Sequence, residues 1–162
     1  MPKHVVETKK SRFQGIARIL VGLTFMGIVS AQAYAQTAKL PPMSEILAER
    51  ILGKADAPVT IIEYASMTCS HCAAFHAGPY PTIKKEYIET GKVKFIYRDF
   101  PLDRLALAAA MMARCAPKER YFPVVDIVYR TQQNWAKVAD PAAALSQIGL
   151  LAGISKEIYQ AC

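Results

Sequence analysis

Cys69-Ser70-His71-Cys72 sets two thiols two residues apart, directly after the apolar run Val59-Thr60-Ile61-Ile62-Glu63-Tyr64. A C-x-x-C that follows a strand and opens a helix is the setting for thiol–disulfide exchange. A cysteine at a helix N-terminus meets unpaired backbone N–H groups and the positive end of the helix dipole, and both favour the thiolate. Cys69 has that place and is the predicted nucleophile, with a thiol pKa below the ~8.5 of a free cysteine. Cys72, one turn in, is the predicted resolving thiol. His71 between them is expected to add positive charge beside the thiolate, which stabilises the reduced form and makes the Cys69–Cys72 disulfide more oxidising. A plain disulfide or half of a zinc site is the competing reading of the motif.

Glu63 is an acid in an otherwise apolar strand, a costly placement unless it finds a partner or stays protonated. Lying beneath the C-x-x-C, it could take the proton of Cys72 during resolution; the other reading points it to solvent at the strand end. His76 extends the motif to C-x-x-C-x-x-x-H, but a metal would need a fourth ligand that only distant Cys115 or Cys162 supplies, so a solvated helix histidine is expected. The chemistry calls for no cofactor and no metal. Phe75, Met67 and Tyr64 are candidates for an apolar rim, at spacings that also suit a core.

The compartment is read from the first 35 residues. Lys3, Lys9, Lys10, Arg12 and Arg18 precede an apolar stretch from Ile19 to Ala31, and Ala33-Tyr34-Ala35 supplies small residues for cleavage before Gln36. This is the pattern of a secretory signal peptide. An uncleaved membrane anchor is the alternative, and both readings put the folded part outside the cytoplasm, in the periplasm. The formal charge of +7 owes much to that leader; residues 36–162 carry 15 basic and 12 acidic residues, a net of +3. So mild an excess, with no basic run interleaved with aromatics, excludes nucleic acid as a partner.

All four cysteines, 69, 72, 115 and 162, fall in the 127 residues after the leader, enough for one domain. Disulfides persist in exported chains, and Cys115 and Cys162 both sit on predicted apolar helix faces. A structural Cys115–Cys162 disulfide is therefore the favoured reading, with two buried thiols as the alternative.

The elements that must position these residues follow from pattern and punctuation. A loose lead-in runs over 36–58, with 47–52 ambiguous between a short helix and a first strand and a turn from Gly53 to Pro58. Val59 to Tyr64, β-branched and nearly continuous in apolar character, reads as a strand covered on both faces. The helix from Cys69 is broken by Pro79 and Pro81, resumes over Ile83 to Glu89, and is closed by Gly91 ahead of a second strand at Val93 to Tyr97. Strand, helix, strand makes a parallel β-α-β unit over 59–101. From 102 to 162 the pattern is helical: a helix from Leu105 to Ala116 with Ala108, Met111, Met112 and Cys115 on one face, and a second over Tyr121 to Gln133 with Val125, Val128 and Tyr129 inward. A third is opened by Asp140-Pro141 and stopped by Gly153, and a last segment is capped by Ser155.

The stretch from Asp56 to Cys72, with Ala113-Arg114-Cys115-Ala116, Glu119-Arg120-Tyr121-Phe122 and Asp140-Pro141, resembles the DsbA family of exported thiol–disulfide oxidoreductases, particularly its alphaproteobacterial members. The resemblance implies an α/β, thioredoxin-like fold with an inserted all-helical domain. It implies an enzyme that donates the Cys69–Cys72 disulfide to reduced or unfolded exported proteins and is reoxidised by a membrane redox partner. It also implies an acid at the place of Glu63 and a second disulfide in the helical domain. Proteins of this type continue with two strands, a final helix and a cis-proline loop facing the C-x-x-C. No proline after Pro101 can supply that loop, so a fragment or prematurely ended product is expected, with one edge of Val59 to Tyr64 uncovered. A reductase or isomerase, and a truncated non-catalytic binding module, are the alternatives.

Overall fold

The computed structural model describes residues 39–162; the expected leader, its cleavage site and the anchor reading lie outside the described residues. A single helical turn, α1 (Met43–Ile46), leads into β1 (Arg50–Leu52), so the ambiguous 47–52 segment ends as a strand. Gly53 then turns the chain with φ +92°, and a Cβ there would stand 2.6 Å from the Val93 carbonyl oxygen.

Two longer strands, β2 (Val59–Ala65) and β3 (Val93–Asp99), pair in parallel with Glu63 opposite Tyr97, while β1 pairs antiparallel to β3 with Arg50 opposite Tyr97. The sheet order is β1-β3-β2, so β3 is central and β2 stands at an edge of the described sheet. This corrects the expectation of a β2 covered on both faces. Ile61, Glu63 and Ala65 line its covered face, whereas Ile62 and Tyr64 on the other are 42% and 59% exposed. The alternation that marks a one-sided strand is hidden in the sequence because the exposed face carries apolar Ile62 and Tyr64 while the covered face carries the acid Glu63.

The crossover from β2 to β3 starts with α2 (Ser70–Ala77), for which Cys69 is the N-cap in extended conformation. Gly78 and the missing N–H of Pro79 end it. The chain continues as α3 (Pro79–Ile83) into one π-helical turn over Lys84–Ile88, the broken helix that its prolines predict. Gly91, at φ +78°, closes the crossover.

Helix α4 (Arg104–Cys115) begins at Asp103, whose carboxylate accepts the Ala106 N–H at 2.7 Å. Its buried face comprises Ala106, Ala109, Ala110, Met112, Ala113 and Cys115, with Ala108 and Met111 outward. The predicted face is thus rotated. In a helix this rich in alanine, periodicity scarcely distinguishes sides, and packing decides. A 3-10 turn at Lys118–Arg120 leads to α5 (Tyr121–Arg130), which buries Tyr121, Val124, Val125, Val128 and Tyr129. It stops at Thr131 rather than Gln133, and Gln132–Trp135 forms a separate turn, α6. Asp140 and Ser155 cap α7 (Pro141–Leu151) and α8 (Lys156–Ala161) as expected, accepting the N–H groups of Ala143 and Ile158, and Gly153 sits between them at φ +80°.

Trp135, Tyr97, Tyr121, Phe95 and Met67 are the largest fully buried side chains, and they lie in one core shared by sheet and helices. Arg114 ties the strand ends to that core. It donates to Asp99 at 2.6 Å and to the carbonyls of Ile46 and Ala48 at 2.9 and 3.0 Å. The Cys115 and Cys162 sulfurs are bonded, joining the end of α4 to the residue after α8 with their Cα atoms 6.3 Å apart. Among the described residues, no helix is long and apolar enough to cross a membrane.

Candidate active site

Cys69 and Cys72 are free thiols at the start of α2, both half-buried. The Cys69 thiol is drawn below its ordinary value, first by the backbone N–H of Cys72, then by the Cys72 thiol, and further by the backbone N–H of His71. These are the unpaired donors of a helix N-terminus, aimed at one sulfur. Cys72 is pushed the other way: burial comes first, and the neighbouring Cys69 sulfur and the Glu63 charge add to it. One thiol is thus prepared to ionise and its partner to keep a proton.

His71 reaches the Cys69 sulfur through its backbone N–H, and its side chain is exposed.

Glu63 lies on the covered face of β2, and both of its carboxylate oxygens stand 3.1 Å from Nε2 of His76. His76 is only 5% exposed, so the solvated histidine expected at this place is corrected. The two readings of Glu63 separate here as well: the carboxylate is turned inward, under α2. Residues i and i+4 share a helix face, so the same turn that directs Cys72 towards the sheet directs His76 onto it. Glu63 itself was the available signal, since an acid on a buried face requires a partner. Among the described residues, no three His, Cys, Asp or Glu side chains are grouped to hold a metal ion.

The turn that delivers Cys69 is held from two sides by residues with no sequence signal. Gln132, 3% exposed, donates through Nε2 to the carbonyls of Met67 and Cys69, each at 2.9 Å. On the other side the Thr68 hydroxyl donates to Asp103 at 2.6 Å, the Leu102 N–H to the Ser66 hydroxyl at 3.3 Å, and the Phe100 N–H to the Ala65 carbonyl at 2.8 Å. The expected rim is redistributed. Met67 is core at 1% exposure, Phe75 packs half-buried against the core, and Tyr64 is exposed with its hydroxyl bonded to Arg98. Phe100 and Leu102, beside the turn, are 58% and 64% exposed.

The family profile described as Thioredoxin matches residues 46–162, most of the chain and all of this site. The chain belongs to the thioredoxin family. Within it the chain is DsbA-like. It is 36% identical to the solved structure of Wolbachia pipientis alpha-DsbA1, with a TM-score of 0.65 over 76% of this chain and 61% of that one. A Rickettsia bellii protein named "Putative protein-disulfide oxidoreductase" is 33% identical over 115 residues, 70% of this chain and 44% of its own length. A Rickettsia typhi protein of the same description is 36% identical, over 70% and 43%. The chain therefore spans less than half the length of these Rickettsia relatives. The thioredoxin-like α/β fold read from the sequence is the one observed.

Gln132 gives a test of how this DsbA-like site is held. Replacing it with leucine strips the buried Met67 carbonyl of its side-chain donor, whereas the Cys69 carbonyl keeps the Ala73 N–H at 3.1 Å. One buried acceptor left without a partner costs about 1–3 kcal/mol. Gln132→Leu is expected to lower the unfolding free energy by that amount, read as a fall in the denaturant midpoint at unchanged m, and to slow alkylation of Cys69 by iodoacetamide. An unchanged midpoint would show that the clamp contributes nothing.

Proposed function

We propose that this protein is an exported protein-disulfide oxidase that donates the Cys69–Cys72 disulfide to reduced or unfolded proteins outside the cytoplasm. The observation that carries this reading is the opposed pair of thiols, Cys69 drawn down at the start of α2 and Cys72 pushed up behind it. A substrate thiolate attacks the Cys69 sulfur, the S–S bond breaks, and Cys72 departs with the electron pair and takes a proton. A second substrate thiolate then attacks the substrate sulfur of the mixed disulfide, and Cys69 leaves as the thiolate. Two electrons pass to the Cys69–Cys72 pair and the substrate gains one disulfide. A leaving thiol of low pKa departs faster, and a stabilised thiolate makes the disulfide a stronger oxidant, so the direction is oxidation.

Glu63 is the proposed proton donor to Cys72 in this direction and its acceptor when the disulfide re-forms. The leader pattern supports export to the periplasm, and a membrane redox partner is the proposed source of oxidising equivalents. Exposed Phe100 and Leu102 suit a substrate that presents apolar segments, as unfolded chains do.

The decisive experiment measures the redox potential of the Cys69–Cys72 pair together with turnover on a reduced, unfolded protein. An oxidising potential with turnover is expected; a reducing potential, or no turnover with an intact disulfide, would overturn the reading. Glu63→Gln is expected to flatten the pH dependence of the oxidase rate and lower it on the order of 10²-fold, the usual contribution of a positioned acid–base group. A profile that stays unchanged removes Glu63 from the reaction.

A further inference from the structure

His76 joins the site to a second feature of the molecule, a cleft of about 720 Å³ on whose wall it lies with Arg50, Tyr80, Lys84, Phe122 and Asp126. That volume holds many waters, each of which occupies about 30 Å³ in the liquid. Glu63 takes Nε2 of the buried ring, while Nδ1, itself buried, has no hydrogen-bond partner among the described residues. We infer that His76 relays protons between Glu63, beneath the redox pair, and water in this cleft, so that Cys72 exchanges its proton with solvent from behind α2 rather than across the surface where substrate docks. The inference rests on the proposed disulfide chemistry and deepens it.

The tautomer follows from the bonds. A ring that donates Nε2–H to the Glu63 carboxylate presents Nδ1 as an acceptor. When Cys72 departs from the disulfide, the Glu63 carboxylate passes the Nε2 proton to its sulfur while Nδ1 takes one from a water admitted from the cleft. One solvent proton has then replaced the proton delivered to the sulfur and the ring has changed tautomer; a half-turn of the ring resets it. During reoxidation the same steps run backwards.

The groups that face His76 leave few other routes. The Tyr129 ring of α5 stacks on it at 4.2 Å between centroids, Tyr80 of α3 lies at 4.6 Å, Tyr97 of β3 at 6.2 Å, and Phe75 of α2 at 5.7 Å. Burial pushes Tyr80 up to about 12 and raises Tyr97 and Tyr129 too, so these hydroxyls hold their protons near neutral pH. Arg50 from β1 and Lys84 and Asp126 on the cleft wall are charged groups whose removal would alter the field there but which have no bond to the ring among the described residues.

The test follows reduction of the oxidised full chain by excess dithiothreitol in stopped flow, in H2O and D2O across pH. His76→Gln keeps a donor for Glu63 but cannot relay, and it is expected to slow Cys72 release on the order of 10²-fold and to abolish the solvent isotope effect. Imidazole added to His76→Gly should restore the rate in a saturable way, which repair of packing alone would not do. Alkylation of Cys69, which reads the thiolate and not the relay, serves as the control for a displaced helix. His76→Gln exchanging at the wild-type rate with the wild-type isotope effect, or His76→Gly indifferent to imidazole, overturns the relay. A wild-type protein that dithiothreitol does not reduce overturns the disulfide reading instead, so the two failures are distinguishable.

Discussion

Cys69→Ser is expected to lose thiol–disulfide exchange altogether, falling to the rate of buffer, while Cys72→Ser forms a mixed disulfide with substrate that it cannot resolve. The asymmetry follows from the two environments. Cys69 receives the N–H groups of Cys72 and His71, whereas Cys72 is desolvated and faces the Glu63 charge. Iodoacetamide should accordingly modify Cys69 first in the reduced protein at neutral pH. Cys72→Ser and Cys72→Ala divide the effect further, because serine still offers a hydroxyl to the Cys69 sulfur where the thiol donated and alanine does not. The Cys69 pKa, followed by thiolate absorbance, should rise more in the alanine variant, yet stay below the ordinary value in both because the backbone donors remain. Equal alkylation of the two thiols in the wild type would contradict the assignment.

The same shifts set the stability of the reduced protein against pH. A depressed Cys69 pKa means that the folded state binds that proton less tightly than the unfolded state. The contribution is therefore present above the ordinary thiol value and is lost as pH falls through the depressed one. Cys72 has the opposite sign: its contribution is complete below the ordinary value and is lost as pH rises through the raised one. Thermal denaturation of the reduced protein across pH, with Cys69→Ser and Cys72→Ser as references, should separate the two windows on either side of the ordinary value.

Replacing Cys115 and Cys162 together by alanine is the second large expectation. Their bond closes a loop with a sequence separation of 47, and chain-entropy reasoning assigns such a closure about 4 kcal/mol. For a domain of this size that corresponds to a fall in Tm of roughly 10–20 °C. The redox turn is held by Gln132, Asp103 and Ser66 rather than by this bond, so the double variant should keep Cys69 alkylation near the wild-type rate at a temperature where it is folded. A Tm within a few degrees of the wild type would show that α8 is held by its packing alone.

What the sequence discloses and what it hides divide by range. Asp140, Pro141, Gly153 and Ser155 act within a few residues of themselves, through capping, a fixed φ or a positive φ, and each marks its element without tertiary information. Cys69 and Cys72 are legible for the same reason: a strand followed by C-x-x-C defines the nucleophile locally. Glu63 is half legible, since its chemistry demands a partner that its position does not name. His76 looks like any surface histidine until β2 is laid beneath α2, and Gln132 bonds to residues 63 and 65 positions away. The face of α4 is hidden for a different reason, because alanine is tolerated inside and outside alike.

Asp103 starts α4 by accepting the Ala106 N–H and, with its other oxygen, holds the Thr68 hydroxyl. Between it and β3 lie only Phe100, Pro101 and Leu102, and the N–H groups of Phe100 and Leu102 are tied to Ala65 and Ser66. Those few residues form a short tether, so the exposed side chains at 100 and 102 are fixed in position relative to the residues immediately ahead of Cys69.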